Sequence, residues 1–152
     1  MTINQLVKNG LLKKVKVQRP PDAIIEAGNL KASAVFGDRS RNCVDNSICV
    51  VEVMREQGEN DWHIVPGFAF NPECKKPLRH VWVRKGYGHY DPTWILWWNP
   101  INLAYYQVLH PLEDEPRGSE IDNRERIVKW GNETLGKLWA LAEDWKLKLA
   151  GQ

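Results

Sequence analysis

Apolar side chains recur at helical spacing between Cys43 and about residue 57. Two neighbouring stripes run along this segment, one made of Cys43, Ser47, Val50 and Met54 and the other of Val44, Ile48 and Val51. Together they make the segment apolar over most of its circumference, which predicts a largely buried helix. Asn42 is the predicted N-cap, with Asp45 three residues on, and Gly58 is the predicted C-terminal stop.

A second helical pattern covers the C-terminal part of the chain, from Ser119 or Asp122 to about residue 149. Its apolar positions near the helical period are Ile127, Trp130, Leu138, Leu141, Trp145 and Leu149. Gly131 and Gly136 weaken the middle of the pattern, so it is compatible with one helix or with two. The apolar stripe is expected to face the core in either case.

Strands are predicted before the first helical pattern and between the two. Residues 11–18 end in an alternating pattern that predicts a strand with one solvated face, whereas residues 23–34 are ambiguous and compatible with a short helix. Residues 62–70 predict a strand interrupted at Pro66-Gly67 by a bulge or bend. Residues 78–84 and 89–95 predict a hairpin with a glycine-rich connection, and residues 99–110 are apolar but of uncertain type.

These patterns predict one α+β domain over residues 1–152, with a core at 36–98 and a C-terminal helical segment at 119–150. Three cysteines, an odd number, do not make a disulfide framework, and this favours a reducing, cytoplasmic location. No stretch approaches the ~20 apolar residues that a membrane span needs. The net charge of +2 is too small to favour a nucleic acid as the partner.

Cys43 stands at the predicted start of the first helix, where a thiol is readily ionised. The unpaired N–H groups and the dipole of a helix N-terminus stabilise a thiolate, and the thiolate is the form that attacks a carbonyl. The backbone N–H of Cys43 is available to an oxyanion, and the Asn42 cap fixes the direction of the thiol. Cys49, in the middle of the same helix, is expected to be a buried apolar side chain.

The register of the predicted hairpin decides whether His80 and Asp91 meet. A loop of two or four residues centred on Gly86-Tyr87 places Trp82 opposite Asp91, and His80 is two residues from Trp82 on the same face. His80 and Asp91 are then diagonal neighbours with Cα atoms about 7–8 Å apart. A three-residue loop would put them on opposite faces. With the even loop, Asp91 orients His80, and His80 exchanges a proton with the thiol of Cys43.

Two other histidines and a zinc site are the chemical alternatives. His63 and His89 compete as the base, but His89 is expected to lie opposite Arg84 and to point away from His80. A zinc site made of the three cysteines (residues 43, 49 and 74) and His80 lacks any pair with the C-x2-C spacing. The sequence therefore predicts neither a metal nor a cofactor.

Four features stand in a fixed order along about a third of the chain: a helix that starts at Cys43, then Ile64-Val65-Pro66-Gly67-Phe68, then His80-Val81-Trp82-Val83, then Asp91-Pro92-Thr93-Trp94. In this order they resemble the transglutaminase-like superfamily, within the wider papain-like thiol fold. The sequence departs from that family beside the cysteine. Asn42 and Val44 stand where the family often has a glycine and an aromatic residue or arginine.

The resemblance implies a papain-like α+β fold, in which a buried helix carrying the cysteine packs on an antiparallel sheet. It also implies a cysteine-dependent enzyme that hydrolyses an amide, or transfers its acyl group, through a thioester. Cys43 would be the nucleophile, His80 the base and acid, and Asp91 the residue that orients His80. The substrate would be a peptide, a protein or another amide.

Asn42, Trp82 and Trp94 are the residues predicted to lie at the substrate site, where the two tryptophans would shield or line it. A side-chain donor to the oxyanion is expected upstream of Cys43, and Asn29 and Arg39 are the candidates. The altered surroundings of Cys43 also fit a second hypothesis. It is a catalytically inactive module of the same fold that holds a peptide or polymer in a tryptophan-lined groove.

Overall fold

The computed structural model describes residues 3–37, 42–71, 76–93, 103–109 and 121–141, which form an α+β fold with four helices and a curled, mixed sheet. The helices are α1 (Ile3–Lys8), α2 (Asp22–Phe36), α3 (Cys43–Glu56) and α4 (Arg124–Leu141). The strands are β1 (Leu12–Val15), β2 (Val17–Gln18), β3 (Trp62–Asn71), β4 (Lys76–Lys85), β5 (Gly88–Tyr90) and β6 (Ala104–Val108). No helix among the described residues has both the length and the apolar surface needed to cross a lipid bilayer.

The sheet curls because two consecutive strands lie at its opposite edges. Its order is β1-β6-β3-β4-β5-β2, and neighbouring strands are antiparallel except for the parallel pair of β2 and β5. β1 ends at Val15 and β2 begins at Val17, so a single residue, Lys16, separates the two edges along the chain. The segment 11–18 is extended as predicted, but in place of one short strand it contributes a strand to each edge of the sheet.

Side chains on the two faces of the sheet form separate apolar clusters. Helix α3 packs on β3 and β4 through a cluster made of Ile48, Val50, Val51, Val53, Met54, Trp62, Ile64, Val81, Val83 and Ile127. Helices α1 and α4 cover β1, β3 and β6 through Ile3, Leu6, Leu12, Phe68, Tyr106, Val108, Leu135 and Leu138. The opposite face holds Val17, Val65, Ala69, Trp82 and Tyr105, with Val15 packed against them. Both edge strands contribute to this last cluster, so its face is the concave one.

Both predicted helices are present. Helix α3 begins at Cys43, and Gly58, with a φ of 87°, lies just beyond its end. Helix α4 continues without a break through Gly131 and Gly136 as far as Leu141, and the predicted continuation over residues 142–150 lies outside the described residues. The ambiguous residues 23–34 belong to α2, and residues 99–110 contain β6.

The predicted interruption of β3 at Pro66-Gly67 is wrong. β3 pairs with β4 in one unbroken register from Trp62 to Asn71, with Pro66 opposite Val81. The carbonyl of Val81 accepts a hydrogen bond from Ser47 in α3 rather than from β3. Pro66 therefore occupies a position of the antiparallel ladder that needs no N–H toward β4. On its other side, the ladder with β6 begins only at Gly67, so the missing donor of Pro66 breaks no strand pairing.

Gly67 is required by the close approach of Trp82. A Cβ atom built on Gly67 would lie 2.3 Å from Cη2 of the Trp82 ring and 2.3 Å from the backbone oxygen of Tyr106. The Trp82 ring is completely buried, and the Tyr106 oxygen is part of the β6 main chain, so neither can move cheaply. Gly67 thus allows the indole to lie flat across β3 on the concave face.

We expect Gly67→Ala to lower the free energy of unfolding by about 2–3 kcal/mol, because the added methyl group overpacks a site closed by ring and backbone. Chemical denaturation monitored by tryptophan fluorescence would measure the loss.

Gly136→Ala is the matched control, because a Cβ at Gly136 meets no atom within 4 Å and the residue lies inside α4. The same substitution there should raise the free energy of unfolding by roughly 0.5–1 kcal/mol through helix propensity. A Gly67→Ala protein as stable as the wild type would contradict the described packing of Trp82.

Candidate active site

Cys43 is the first residue of α3, and the helix start is capped as the sequence predicts. Asn42 has an extended backbone (φ −96°, ψ 176°), and its side-chain oxygen accepts a hydrogen bond from the backbone N–H of Asp45 at 2.9 Å. This cap fixes the first turn of the helix, and with it the direction of the Cys43 side chain. Cys43 is partly exposed, whereas Cys49, two turns along, is fully buried.

The main chain of Val81 connects the helix start to the sheet. β5 ends at Tyr90, and the register that pairs Val83 with Tyr90 would next bring Pro92 opposite Val81. Proline has no N–H to donate, so the ladder stops there and the edge of β4 is free. Ser47 donates to the Val81 carbonyl at 3.4 Å, and the Val81 backbone makes a hydrogen bond to the Cys43 thiol. Cys43 is thereby held beside His80, the residue of β4 that precedes Val81.

The hairpin brings His80 and Asp91 together through a two-residue loop. Lys85 pairs with Gly88 across Gly86-Tyr87, and Gly86 has a φ of 57°, which glycine adopts without strain. A loop with an even number of residues is what the predicted meeting of His80 and Asp91 requires. Nε2 of His80 lies 2.8 Å from Oδ2 of Asp91. The strand predicted over residues 89–95 ends at Tyr90, two residues before Pro92, and residues 94 and 95 lie outside the described residues.

The carboxylate of Asp91 is buried and accepts three hydrogen bonds. Besides His80, the hydroxyl of Tyr105 donates to Oδ2 at 2.5 Å, and the backbone N–H of Thr93 donates to Oδ1 at 2.9 Å. The backbone N–H of Asp91 donates in turn to the carbonyl of Gln18 in β2 at 3.0 Å. Both the side chain and the main chain of Asp91 are therefore fixed.

These contacts separate charge between Cys43 and His80. Burial would raise the pKa of the Cys43 thiol, but its hydrogen bond with His80, the charge of the imidazolium and the bond from Val81 hold that pKa below its ordinary value. Burial would lower the pKa of His80, but hydrogen bonds to Asp91 and Cys43 and their negative charges raise it to about 10. Both shifts thus favour the charge-separated pair, a thiolate beside an imidazolium.

The charge on Asp91 is stable for the same reason. Burial alone would raise the pKa of this carboxyl. The bonds from His80, Tyr105 and Thr93 outweigh it and keep the pKa below its usual range. Since Nε2 of His80 is bonded to Asp91, Nδ1 is the ring nitrogen left to exchange a proton with the Cys43 thiol.

Trp82 lies beneath the site rather than at its surface. Its side chain is completely buried, its ring stacks near the His80 ring with centroids 6.2 Å apart, and its Nε1–H donates to Nδ1 of His89 at 2.9 Å. The structure therefore places Trp82 behind His80, away from the surface at which it was predicted to line a substrate site. A side chain with no exposed surface cannot line a groove.

The orientation predicted for His89 is wrong. His89 lies opposite Arg84, as expected, but it shares the concave face with His80, since residues 80, 82 and 84 project to one side and residues 89 and 91 to the same side. Burial, followed by the charges of Arg84 and Lys13, lowers the pKa of His89 to about 4. His89 is therefore neutral near neutral pH and serves as the acceptor for Trp82 rather than as the base.

The remaining predicted residues lie at the surface or outside the described residues. Asn42 is exposed at the helix start, where its side chain caps α3, and Asn29 is exposed on α2. Trp94, Arg39 and Cys74 lie outside the described residues. Among the residues that are described, no group of three or more His, Cys, Asp or Glu side chains is arranged to hold a metal ion.

Two parts of the site escaped the sequence analysis: the hydroxyl of Tyr105 and the main chain of Val81. Tyr105 lies in the aromatic segment 99–110, whose type was uncertain, so no register connected it to Asp91. The sequence did contain a signal that Val81 lacks strand partners for its main chain. Pro66 lies opposite Val81 on β3, and the register of β4 with β5, continued by two residues, places Pro92 on the other side.

Protonation of His89 should destabilise the protein in mild acid. The unfolded chain binds a proton at His89 near the ordinary pKa of 6.5, whereas the native state resists until about 4. The contribution of neutral His89 to stability is therefore lost as the pH falls through this window, by about 1–2 kcal/mol between about pH 7 and about pH 5. Urea unfolding at the two pH values should show the loss in the wild type and a smaller loss in His89→Gln.

His63→Gln is the control for a general effect of removing a histidine. Burial and two arginines also lower the pKa of His63, but less than that of His89. An equal acid-induced loss in wild type and His89→Gln would contradict the assignment of a neutral, buried His89.

Comparison of the sequence with protein-family models and with curated proteins, and of the structure with solved structures, found no match.

Proposed function

We propose that this protein is a cysteine-dependent amidohydrolase or acyltransferase that works through a thioester on Cys43. The observation that carries the proposal is the 2.8 Å hydrogen bond between Nε2 of His80 and the buried carboxylate of Asp91, beside a Cys43 thiol whose pKa is lowered by its interaction with His80. Cys43 stands at a capped helix N-terminus, and Asp91 is an acid with two further hydrogen bonds. These are the relations that activate a thiol nucleophile.

Each residue has a definite role in the proposed reaction. The Cys43 thiolate attacks the carbonyl carbon of an amide, so a C–S bond forms and the carbonyl oxygen becomes an oxyanion. The C–N bond then breaks, and the His80 imidazolium gives its proton to the leaving amine. Water or an amine next attacks the thioester carbon while neutral His80 takes the proton of the attacking group. The C–S bond then breaks, which releases the acid or the new amide and restores the Cys43 thiolate beside the His80 imidazolium. Asp91 stays ionised and holds the ring.

The exposure of the three residues fits these roles. Cys43 and His80 are both partly exposed, whereas the Asp91 side chain is 5% exposed. The Cys43–His80 end of the site therefore lies toward the surface, while the carboxylate behind it is shielded from water. Shielding strengthens the electrostatic interaction between imidazolium and carboxylate.

The start of α3 also supplies a donor for the oxyanion. The cap uses the backbone N–H of Asp45, and the backbone N–H of Asn46 bonds to the carbonyl of Asn42. The N–H of Cys43 precedes both, in the first turn, where N–H groups have no partner within the helix. We assign it as a backbone donor to the oxyanion.

A transglutaminase-like, papain-like fold remains part of this proposal. The order of nucleophile helix, strand, histidine and aspartate along the chain supports it, as does the hairpin register. The inactive binding module, by contrast, relied on a groove lined by tryptophans, and burial of Trp82 removes one of the two proposed for it. The enzyme is therefore the function that the described residues support better.

Acylation by an activated ester tests the proposal without knowledge of the natural substrate. With p-nitrophenyl acetate, we expect a burst of nitrophenolate equal to the protein concentration, and peptide mass spectrometry should find the acetyl group on Cys43. Cys43→Ala should abolish the burst. His80→Ala should slow it by about 100-fold or more, because a positioned proton-transfer group contributes on that order.

His63→Ala is the matched control for the histidine substitution. His63 lies on β3 opposite Arg84, four residues along the strand pair from His80, and should leave the burst unchanged. An equal burst in Cys43→Ala, or an acetyl group found chiefly on Cys49, would contradict the proposal.

A further inference from the structure

The oxygen of Asp91 that bonds to His80 also accepts a second strong donor. Oδ2 lies 2.8 Å from Nε2 of His80 and 2.5 Å from the hydroxyl of Tyr105. Tyr105 is 1% exposed, so its hydroxyl is directed into the protein and not into solvent. The two donors meet on one atom, and any change in one bond must affect the other.

Tyr105 is held more rigidly than a residue in a loop would be. It lies in β6, in the interior of the sheet, where it pairs with Ala69 of β3 on one side and Val15 of β1 on the other. Its ring meets the Trp82 ring edge-on, with centroids 5.2 Å apart, and lies 6.1 Å from the His80 ring. The hydroxyl is therefore placed by both the backbone and the packing.

We propose that Tyr105 is a positioning residue that fixes the Asp91 carboxylate and lowers the proton affinity of the Asp91–His80 pair. The catalytic importance of this role rests on the function proposed above, whereas the linkage itself does not. Tyr105 touches neither the sulfur nor a substrate, so it acts through Asp91.

The direction of the effect follows from the charge on the carboxylate. A hydroxyl that donates to Asp91 stabilises its ionised form, so the carboxylate attracts the proton of His80 less strongly. Without that donor, loss of the Nδ1 proton from His80 would leave a buried carboxylate whose donors, among those described, are the Nε2–H of a neutral imidazole and the Thr93 N–H. The imidazolium would then be a weaker acid and would return its proton to a leaving group more slowly.

Tyr105 remains a donor throughout the working range of pH. Burial, followed by repulsion from the Asp91 charge, raises the pKa of its hydroxyl far above the ordinary value. The other titratable groups around His80 are Cys43 from α3 and Asp91 after β5. His89, the next histidine on the concave face, is bonded to Trp82 and is neutral above about pH 4.

The test compares Tyr105→Phe with the parent in a Cys43→Ala background. Removing the thiol separates the Tyr105–Asp91–His80 linkage from thiol chemistry, and the loss of one negative charge brings the His80 titration to lower pH. NMR of the ring nitrogens should show the midpoint for His80 raised by about one pH unit in the Tyr105→Phe variant, since a bond to a charged group is lost.

Tyr106→Phe is the matched control. Tyr106 is the next residue of β6, nearly as buried, but it faces the α1–α4 cluster and stacks on Phe70. It should leave the His80 midpoint unchanged. An unshifted midpoint in Tyr105→Phe, or an equal shift in Tyr106→Phe, would overturn the proposal.

A second measurement leaves Tyr105 itself unaltered. Asp91→Asn removes the charge that opposes ionisation of Tyr105, so the most resistant tyrosine in an alkaline ultraviolet titration should ionise at lower pH than in the wild type. An identical titration would refute the linkage. The two proposals can fail separately: a shifted His80 midpoint with no acylation of Cys43 refutes the enzyme alone, and acylation with an unshifted midpoint refutes the role of Tyr105 alone.

Discussion

The main chain of Val81 bonds to helix α3 instead of to a neighbouring strand, and the geometry of the whole site follows from this. On one side Pro66 faces Val81 without an N–H, and on the other the chain turns at Pro92, where β5 has already ended. The free edge accepts Ser47 and bonds to the thiol of Cys43. A helix that packs on the convex face of the sheet can therefore present its first residue to His80, whose side chain belongs to the concave face.

Hydrogen bonds to Asp91 explain how charged side chains are tolerated in a small core. An ionised carboxylate in an apolar interior costs several kcal/mol unless it is paired and hydrogen-bonded. Asp91 has an imidazolium on one oxygen, a tyrosine on the same oxygen and a backbone N–H on the other. Apolar residues of similar volume are often at least as stabilising as a buried ion pair. Stability alone therefore does not account for the pairing of Asp91 and His80, which is the pairing that the proposed thiol chemistry requires.

Features that depend on local sequence were predictable, and those that depend on the curl of the sheet were not. The Asn42 cap and the two-residue loop at Gly86-Tyr87 each involve contacts a few residues apart, so residue type and spacing sufficed to place Cys43 at a helix start and His80 beside Asp91. Tyr105 is 14 residues from Asp91 in sequence and joins it through β6. Its register depends on strands β1 and β3 rather than on any local signal.

Two errors have physical causes of the same kind. Residues 15–18 alternate as they would in one strand, but the curl of the sheet assigns Val15 to one edge and Val17 to the other. Pro66 has the character of a strand breaker in sequence, yet it occupies a position of the ladder that requires no donor. In both cases the structure depends on strand pairing with residues distant in sequence, which the local sequence pattern does not indicate.

The central claim is that Cys43 is a thiolate held by His80, and the rate of alkylation by iodoacetamide as a function of pH measures it most directly. Peptide mass spectrometry can follow each cysteine of the folded protein separately. The account predicts that Cys43 reacts faster than Cys49 and Cys74, and that its rate stays high well below the pH of about 8.5 at which an ordinary thiol ionises. A Cys43 that follows the pH profile of an ordinary thiol, and reacts no faster than the other two, would contradict the account.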